Sequence, residues 1–420
     1  MENSRDTASA TRHGWIPVFV LCLNFGVVFF DRNALNFLMP FVSSDLKLSN
    51  FDIGLLSAAL SLTWALSGFF ISAASDRANS RKPMLIAAIL CFSVCSFLSG
   101  LAVSFATLLG ARLLMGAAEG PILPLSQSLV ASSVPVKRRG LAMGLVQNFG
   151  SNLLGSFVAP IVLVGISTWM GWRIAFFLSG VPGLICAALV WRFVHDCPAD
   201  KGGQEREKLS LSAAFAYRNV LVCSVLSTLV VGYMAVTYTF LPLYLTRISG
   251  YSTGEMSVLI SALGLAAATS GIVVPMLSDR IGRKPVIVLM PLLGCLLPIA
   301  TLVGPADPWI LGAFLFAGWF IIGTLSLIMA TVPSETVSLS QVATALAIIM
   351  GAGEIFGGVG MPIFSGWIAD TMGLGGVMWT LIALSGASAV SALYLIETHS
   401  THTRRRQHPP LGPRAVEDGI

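Results

Sequence analysis

Residues 75–83 read Ser75-Asp76-Arg77-Ala78-Asn79-Ser80-Arg81-Lys82-Pro83, and residues 278–285 read Ser278-Asp279-Arg280-Ile281-Gly282-Arg283-Lys284-Pro285. The two Asp-Arg pairs stand 203 residues apart in a chain of 420, about half its length. Each follows the second long apolar run of its half and precedes the third. A polar turn of one composition, at one place in two halves, marks an internal duplication.

The flanking sequence sets the solvent. The chain is 55% hydrophobic and only 11% charged, with a mean hydropathy of +0.82. Soluble domains carry about 25% charged residues, so this composition cannot coat a water-soluble surface. It excludes a soluble enzyme, a nucleic-acid binder and a disordered scaffold. The net charge of +5 is spread in short clusters between apolar runs, not gathered into a nucleic-acid footprint. The seven cysteines form no C-x-x-C pair, and all but Cys197 sit in apolar stretches. They read as small packing residues, with no disulfide framework or metal site.

A spanning helix needs about 20 mostly apolar residues. Twelve runs qualify: 15–40, 52–74, 84–105, 107–133, 141–165, 173–194, 218–246, 254–277, 285–304, 308–331, 340–369 and 374–396. They are too long and too uniformly apolar for barrel strands, so the expected fold is all-α. The expected organisation is a tail over 1–14, a six-helix bundle over 15–194, a polar linker over 195–217, a second bundle over 218–397 and a basic disordered tail over 398–420. With both termini cytoplasmic, 20 Lys and Arg fall on the cytoplasmic side and 3 on the other, leaving Arg32 and Arg112 within spans. The positive-inside rule thus gives a multi-pass inner (plasma) membrane protein with both ends in the cytoplasm.

Five charges lie well inside the spans, away from their ends: Asp31 and Arg32 in the first, Arg112 and Glu119 in the fourth, Glu354 in the eleventh. A central charge costs about 3 kcal/mol on insertion scales, which makes each one a functional candidate. Arg112 and Glu119 are seven residues apart, on one helix face and about 10 Å apart along the axis. Asp31 and Arg32 are adjacent and point about 100° apart, so one can face a neighbouring helix and the other a cavity. The economical arrangement pairs Asp31 with Arg112 and leaves Arg32 for a ligand. Two cations against three carboxylates is the charge pattern of proton–anion symport: protonating two carboxylates leaves one positive charge for an anion. All five histidines fall outside the spans, so a proton relay would use carboxylates.

The D-R-x-G-R-K form at 279–284 resembles the loop signature of the major facilitator superfamily, which implies two six-helix halves related by pseudo-two-fold symmetry. It also implies that Asp76, Arg77, Asp279 and Arg280 gate access, each Asp capping a helix end and pairing with Arg across the interface between halves. Phe30-Asp31-Arg32-Asn33-Ala34-Leu35-Asn36 is similar to the D-R-x-N-[IL] signature of the anion:cation symporter family. Arg112-Leu113-Leu114-Met115-Gly116-Ala117-Ala118-Glu119-Gly120 is similar to that family's R-x-x-x-G-x-x-E-G stretch. The end of span 11, from Pro362 through Gly366-Trp367-Ile368-Ala369-Asp370, also looks familial. The resemblance covers nearly the whole chain. It implies a monomeric importer of a small organic carboxylate with protons and no other cofactor. Arg32 would bind the substrate carboxylate, Asp31 would couple protons through release from Arg112, and Glu119 would be a second protonatable group. Asn152 would sit in the substrate site. Glu354 departs from the family's uncharged polar residue there and would meet substrate hydroxyls or add a proton site.

Phe29, Phe30, Trp64, Tyr233, Tyr238 and Phe356 are candidate cavity aromatics. Phe29 and Phe30 tilt the expectation slightly towards an aromatic or apolar acid, whereas Glu354, Asn152 and Tyr233 suit a sugar acid. The alternatives of the same fold are a proton-coupled efflux antiporter, which the missing Gly-Pro of span 5 disfavours, and a facilitator or nutrient sensor. A membrane enzyme would need a nucleophile–base pair, a metal cluster or a cofactor motif, and the sequence has no H-E-x-x-H, Gly-rich phosphate loop or Cys/His cluster.

Overall fold

The computed structural model describes residues 15–78, 81–196, 217–304, 307–338 and 341–398, the side chains of 72–78, 136, 137 and 343 excepted. The expected tails and nearly all of the linker lie outside the described residues. Within them the chain is helical, with twelve helices long and apolar enough to cross a membrane. They are α1 (Ile16–Asp45), α2 (Asn50–Ile71), α3 (Lys82–Gly100), α4 (Phe105–Ser133), α5 (Arg138–Met170), α6 (Trp172–Phe193), α7 (Arg218–Arg247), α8 (Thr253–Ile281), α9 (Arg283–Val303), α10 (Pro308–Thr336), α11 (Thr344–Met372) and α12 (Leu374–Ala392). Six precede the linker and six follow it, and their positions match the apolar runs of the sequence within a few residues.

The helices that carry intramembrane charge are irregular, as are α5, α9 and α10. The α-helical geometry of α1 breaks at Asn33, directly after Arg32. In α4 it breaks after Glu119, at Gly120-Pro121, where proline removes a backbone donor. The fifth helix of each half winds as a π-helix in mid-membrane, over Leu145–Phe149 and Ser151–Val158 in α5 and over Gly353–Gly360 in α11. Such widened turns are frequent at functional sites.

Large apolar side chains such as Phe19, Phe69, Ile272 and Leu292 face outward, where lipid is the solvent. Exposed Trp169, Trp191 and Trp309 sit near helix ends, the level at which amphipathic rings prefer the interface.

The halves meet mainly through two helix pairs, α2 on α11 and α5 on α8, with α7 also packed on α1 and α2. Glycine makes both contacts possible. A Cβ on Gly54 would lie 2.3 Å from the carbonyl oxygen of Pro362, and one on Gly264 would lie 2.3 Å from the carbonyl carbon of Ser156. Lipid gives helices no hydrophobic drive to associate, so close backbone approach supplies the packing energy.

Hydrogen bonds reinforce this seam on one side. Asp370, at the end of α11, accepts from the Asn50 amide (3.0 Å), the Asn50 side chain (2.9 Å) and the Phe51 amide (2.9 Å). It therefore caps α2 from the other half. Arg247 donates to Ser43 at 2.6 Å, Thr239 to Ser57 at 3.0 Å and Tyr238 to Ser156 at 3.2 Å. These hydrogen bonds between the halves lie from mid-membrane to the end that holds Asp45, Asn50 and Arg247.

Candidate functional site

A cavity of ≈ 90 Å³ lies between the halves. Its polar lining is Arg32 and Asn36 of α1, Ser57 and Ser61 of α2, Arg112 of α4, Tyr238 of α7 and Glu354 of α11, set among Leu35, Leu56, Leu60, Val231, Met234 and Ala235. Three of the five intramembrane charges therefore converge on one space.

The adjacency of Asp31 and Arg32 separates them as helix geometry requires. Asp31 is 0% exposed and turns away from the cavity into the α1–α3–α6 packing. Its Oδ1 accepts from Ser96 and Ser179, each at 2.6 Å, while Oδ2 has no hydrogen-bond partner. Arg32 turns to the cavity, with its guanidinium 4.9 Å from the Trp64 ring centroid and 5.8 Å from that of Phe29. Its Nη1 stands 3.9 Å from Oε2 of Glu119, too far for a hydrogen bond. Both Glu119 oxygens lack a hydrogen-bond partner, although the residue is only 1% exposed.

The expected Asp31–Arg112 pair is not formed. Arg112 donates to Ser99 at 2.8 Å and lies over the Phe176 ring at 5.3 Å, and its Nε and Nη1 are unpartnered. The serine hydroxyls of α3 and α6 occupy the place the sequence assigned to Arg112. Asp31 and Arg112 act on each other only as separated charges.

Other expected site residues fall elsewhere. Tyr233 is wholly buried. Its hydroxyl donates to the Gly294 carbonyl at 2.8 Å and its ring lies 6.0 Å from Trp319, which makes it core of the second half rather than cavity wall. Phe29 packs against α5 at Gly155 and reaches the site only through Arg32. Asn152 is half-buried on the π-helical turn of α5 and does not line the cavity, and Phe356 faces outward. Of the six candidate aromatics only Tyr238 lines it, so the aromatic wall that favoured an aromatic acid is absent from this cavity. Asn36, Ser57 and Ser61 line it unforeseen, because a single hydroxyl or amide in an apolar run carries no signal of its own.

The loop pair also differs from expectation. Asp279 forms an ion pair with Arg283 of its own half, not with a residue across the interface. Arg283 bonds Glu335 of α10 at 3.0 Å and Ser278 at 2.6 Å. Glu397 accepts from the amides of Arg283 (2.9 Å) and Lys284 (3.0 Å). Arg280 is exposed. The helix of α2 continues to Ala78, but the side chains of Asp76 and Arg77 lie outside the described residues.

Comparison with known proteins agrees with this architecture. The family model described as Major Facilitator Superfamily matches residues 21–336 and, in a second match, 226–417. The chain is 27% identical to a probable 4-methylmuconolactone transporter of Cupriavidus pinatubonensis, over 87% of this chain and 86% of that one. It is 30% identical to a hexuronate transporter of Bacillus subtilis, over 69% of this chain and 72% of that one. Among solved structures, a bacterial homologue of the human lysosomal transporter Spinster, inward-facing and occupied, superposes with a TM-score of 0.73. It shares 19% identity over 90% of this chain and 95% of that one. The chain is a multi-pass membrane transporter, not an enzyme, and belongs to the Major Facilitator Superfamily.

Proposed function

We propose that the protein imports a small organic carboxylate together with protons by alternating access, across the inner membrane and with both termini in the cytoplasm. The observation that carries this reading is the pair of guanidiniums facing one cavity between the halves, Arg32 and Arg112, both with N–H groups unpartnered. A guanidinium buried without a hydrogen-bonded anion is costly, and a carboxylate from solution is the planar acceptor it matches. The relatives named for carrying a muconolactone and a hexuronate point the same way.

The coupling follows from the same charges. Glu119 is buried with no hydrogen bond to either oxygen. When substrate neutralises Arg32, Glu119 loses its nearest counter-charge and takes up a proton in its place. Asp31, held by two serines beside Arg112, is the second proton site. In the proposed orientation the hydrogen-bonded seam at Asp370 and Arg247 faces outward, so this is the state closed to the outside. The cavity of ≈ 90 Å³ is smaller than the roughly 300–1,000 Å³ of common ligand pockets, so the halves must part to admit substrate.

A thermal-shift screen of the purified protein against organic acids tests the reading. At least one carboxylate should stabilise the wild type, and Arg32→Ala should abolish that shift. Retained affinity in the variant would move the anion site elsewhere.

A further inference from the structure

Asp31 turns away from the cavity, so its hold on a proton is set by its neighbours within the first half. Four oxygens meet there: Oδ1 of Asp31 on α1, Oγ of Ser96 on α3, and Oγ of Ser179 with the Phe176 carbonyl on α6. Each serine oxygen stands 2.6 Å from Oδ1 and 2.9 Å from the carbonyl, and the two serine oxygens are 2.9 Å apart. Both serines are fully buried. Close packing of α3 on α6 fixes their positions. A Cβ on Gly180 would lie 3.2 Å from Cβ of Ser96, and one on Gly183 would lie 2.1 Å from the Ser93 hydroxyl.

Each hydroxyl has one proton to donate, and two acceptors lie within its reach. The Phe176 carbonyl is inside α6 and already takes part in the helical ladder, so it requires no second donor. Oδ1 is therefore the acceptor that both hydroxyls can serve at once. A contact of 2.6 Å has the length of a hydroxyl bonded to an ionised carboxylate, whereas 2.9 Å belongs to the ordinary neutral range. Hydrogen bonds donated to a carboxylate favour its charged form. Oδ2 has no hydrogen-bond partner and is the atom placed to take a proton. Once it does, Oδ1 is a weaker acceptor, and one hydroxyl can turn to the carbonyl with no heavy atom displaced.

The other titratable groups stand further off. Arg112 and Glu119 act on Asp31 from α4 as separated charges of opposite sign, and Cys95 of α3 adjoins both of those. Arg32, next along α1, turns to the cavity. On α6, Cys186 follows Ser179 by seven residues. The opposite face of α1 meets α5 at Cys22, Gly26 and Phe29, and α5 has no titratable residue beyond Arg139. The two hydroxyls are the neighbours in direct contact with the carboxylate.

We propose that Ser96 and Ser179 form a paired donor clamp that favours the ionised form of Asp31, and so lets it give up its proton to the cytoplasm. On release the O–H bond at Oδ2 breaks, its electron pair stays on the carboxylate, and water on the cytoplasmic side takes the proton. Both serines are positioning residues, since neither lines the cavity. The inference rests on the proton-coupling reading above and names what regulates one of its two sites.

The test is infrared difference spectroscopy of the purified full-length protein, titrated from acid to alkaline pH. Asp31→Asn identifies the Asp31 carboxyl band by its loss. The wild-type band should vanish as pH rises. With Ser96→Ala and Ser179→Ala combined, it should persist to a pH about one unit higher or more, since the ionised form loses two donors, an effect of about tenfold or greater on proton binding. Each single alanine variant keeps one donor and should give a smaller shift in the same direction. The single variants replace the pair if it does not fold.

A purely structural role would lower Tm and leave the band's midpoint in place, and that result would overturn the clamp. So would a shift to lower pH, or the absence of a titrating Asp31 band from both the wild type and the alanine pair. If the band behaves as described but carboxylate uptake ignores the pH gradient, the coupling reading is refuted and the clamp stands.

Discussion

Asp370 holds the two halves together at one point, and removing it should reset the balance between access states. Its carboxylate takes three N–H donors of the other half, all at the start of α2 and two of them backbone amides. Each hydrogen bond to a charged group is worth about 1.5–3 kcal/mol in general. This site is exposed, so the low end applies and the three do not add. Loss of an N-cap costs about 1 kcal/mol, and an acid at a helix N-terminus adds about 0.3–1 kcal/mol. Asp370→Ala should therefore disfavour the closed seam by about 1–3 kcal/mol, which shifts the ratio of states by roughly 5- to 150-fold. The assay is labelling of Ser57→Cys, in a background without native cysteines, by a membrane-impermeant maleimide added from the outside. Ser57 lies behind the seam, bonded to Thr239, so it is shielded while the seam is closed. Asp370→Ala should raise the labelling rate by that factor and Asp370→Asn by less, since the amide still offers one oxygen. A change under twofold in the alanine variant would refute the reasoning.

Further expectations concern single side chains. Gly264→Ala places a methyl 2.3 Å from the α5 backbone; it should prevent seam closure, abolish exchange transport and raise the same labelling, while wild-type exchange would contradict the proposed packing. Tyr233→Phe removes one buried hydrogen bond to Gly294 and should cost about 1 kcal/mol of stability, read as a lowered Tm, with substrate affinity unchanged; a selective loss of affinity would return Tyr233 to the site. Glu119→Gln cannot exchange a proton and should spare counterflow while stopping gradient-driven uptake, whereas equal loss of both would make Glu119 structural.

Much of this arrangement is legible in the chain. Twelve apolar runs with a polar break after the sixth specify the helices, because lipid leaves each run no other way to satisfy its backbone. The duplicated Asp-Arg turn specifies the repeat. The adjacency of Asp31 and Arg32 correctly splits one residue into the helix packing and the other into the cavity, since 3.6 residues per turn allows nothing else.

Partner choice is where the sequence falls short. Asp31 is satisfied by Ser96 and Ser179, and hydroxyls at these positions look like any other small residues of a packed membrane helix. Tyr233 and Tyr238 lie five residues apart on α7, about 140° apart around the helix, so they face differently, but which of them meets the cavity is set by how α7 packs on its neighbours. Asp279 finds Arg283, and Asp370 reaches the other half, because each pairing depends on which ends of the bundles are in contact. A charge pattern says that a partner is needed but not which neighbouring helix brings it.

The central claim is that carboxylate movement through this cavity is driven by protons. Its direct test is uptake of a binding carboxylate into proteoliposomes of the wild-type protein under an imposed pH gradient, acidic outside. The account predicts transient accumulation above equilibrium that a protonophore abolishes. Uptake that reaches the same level with and without the gradient would contradict it.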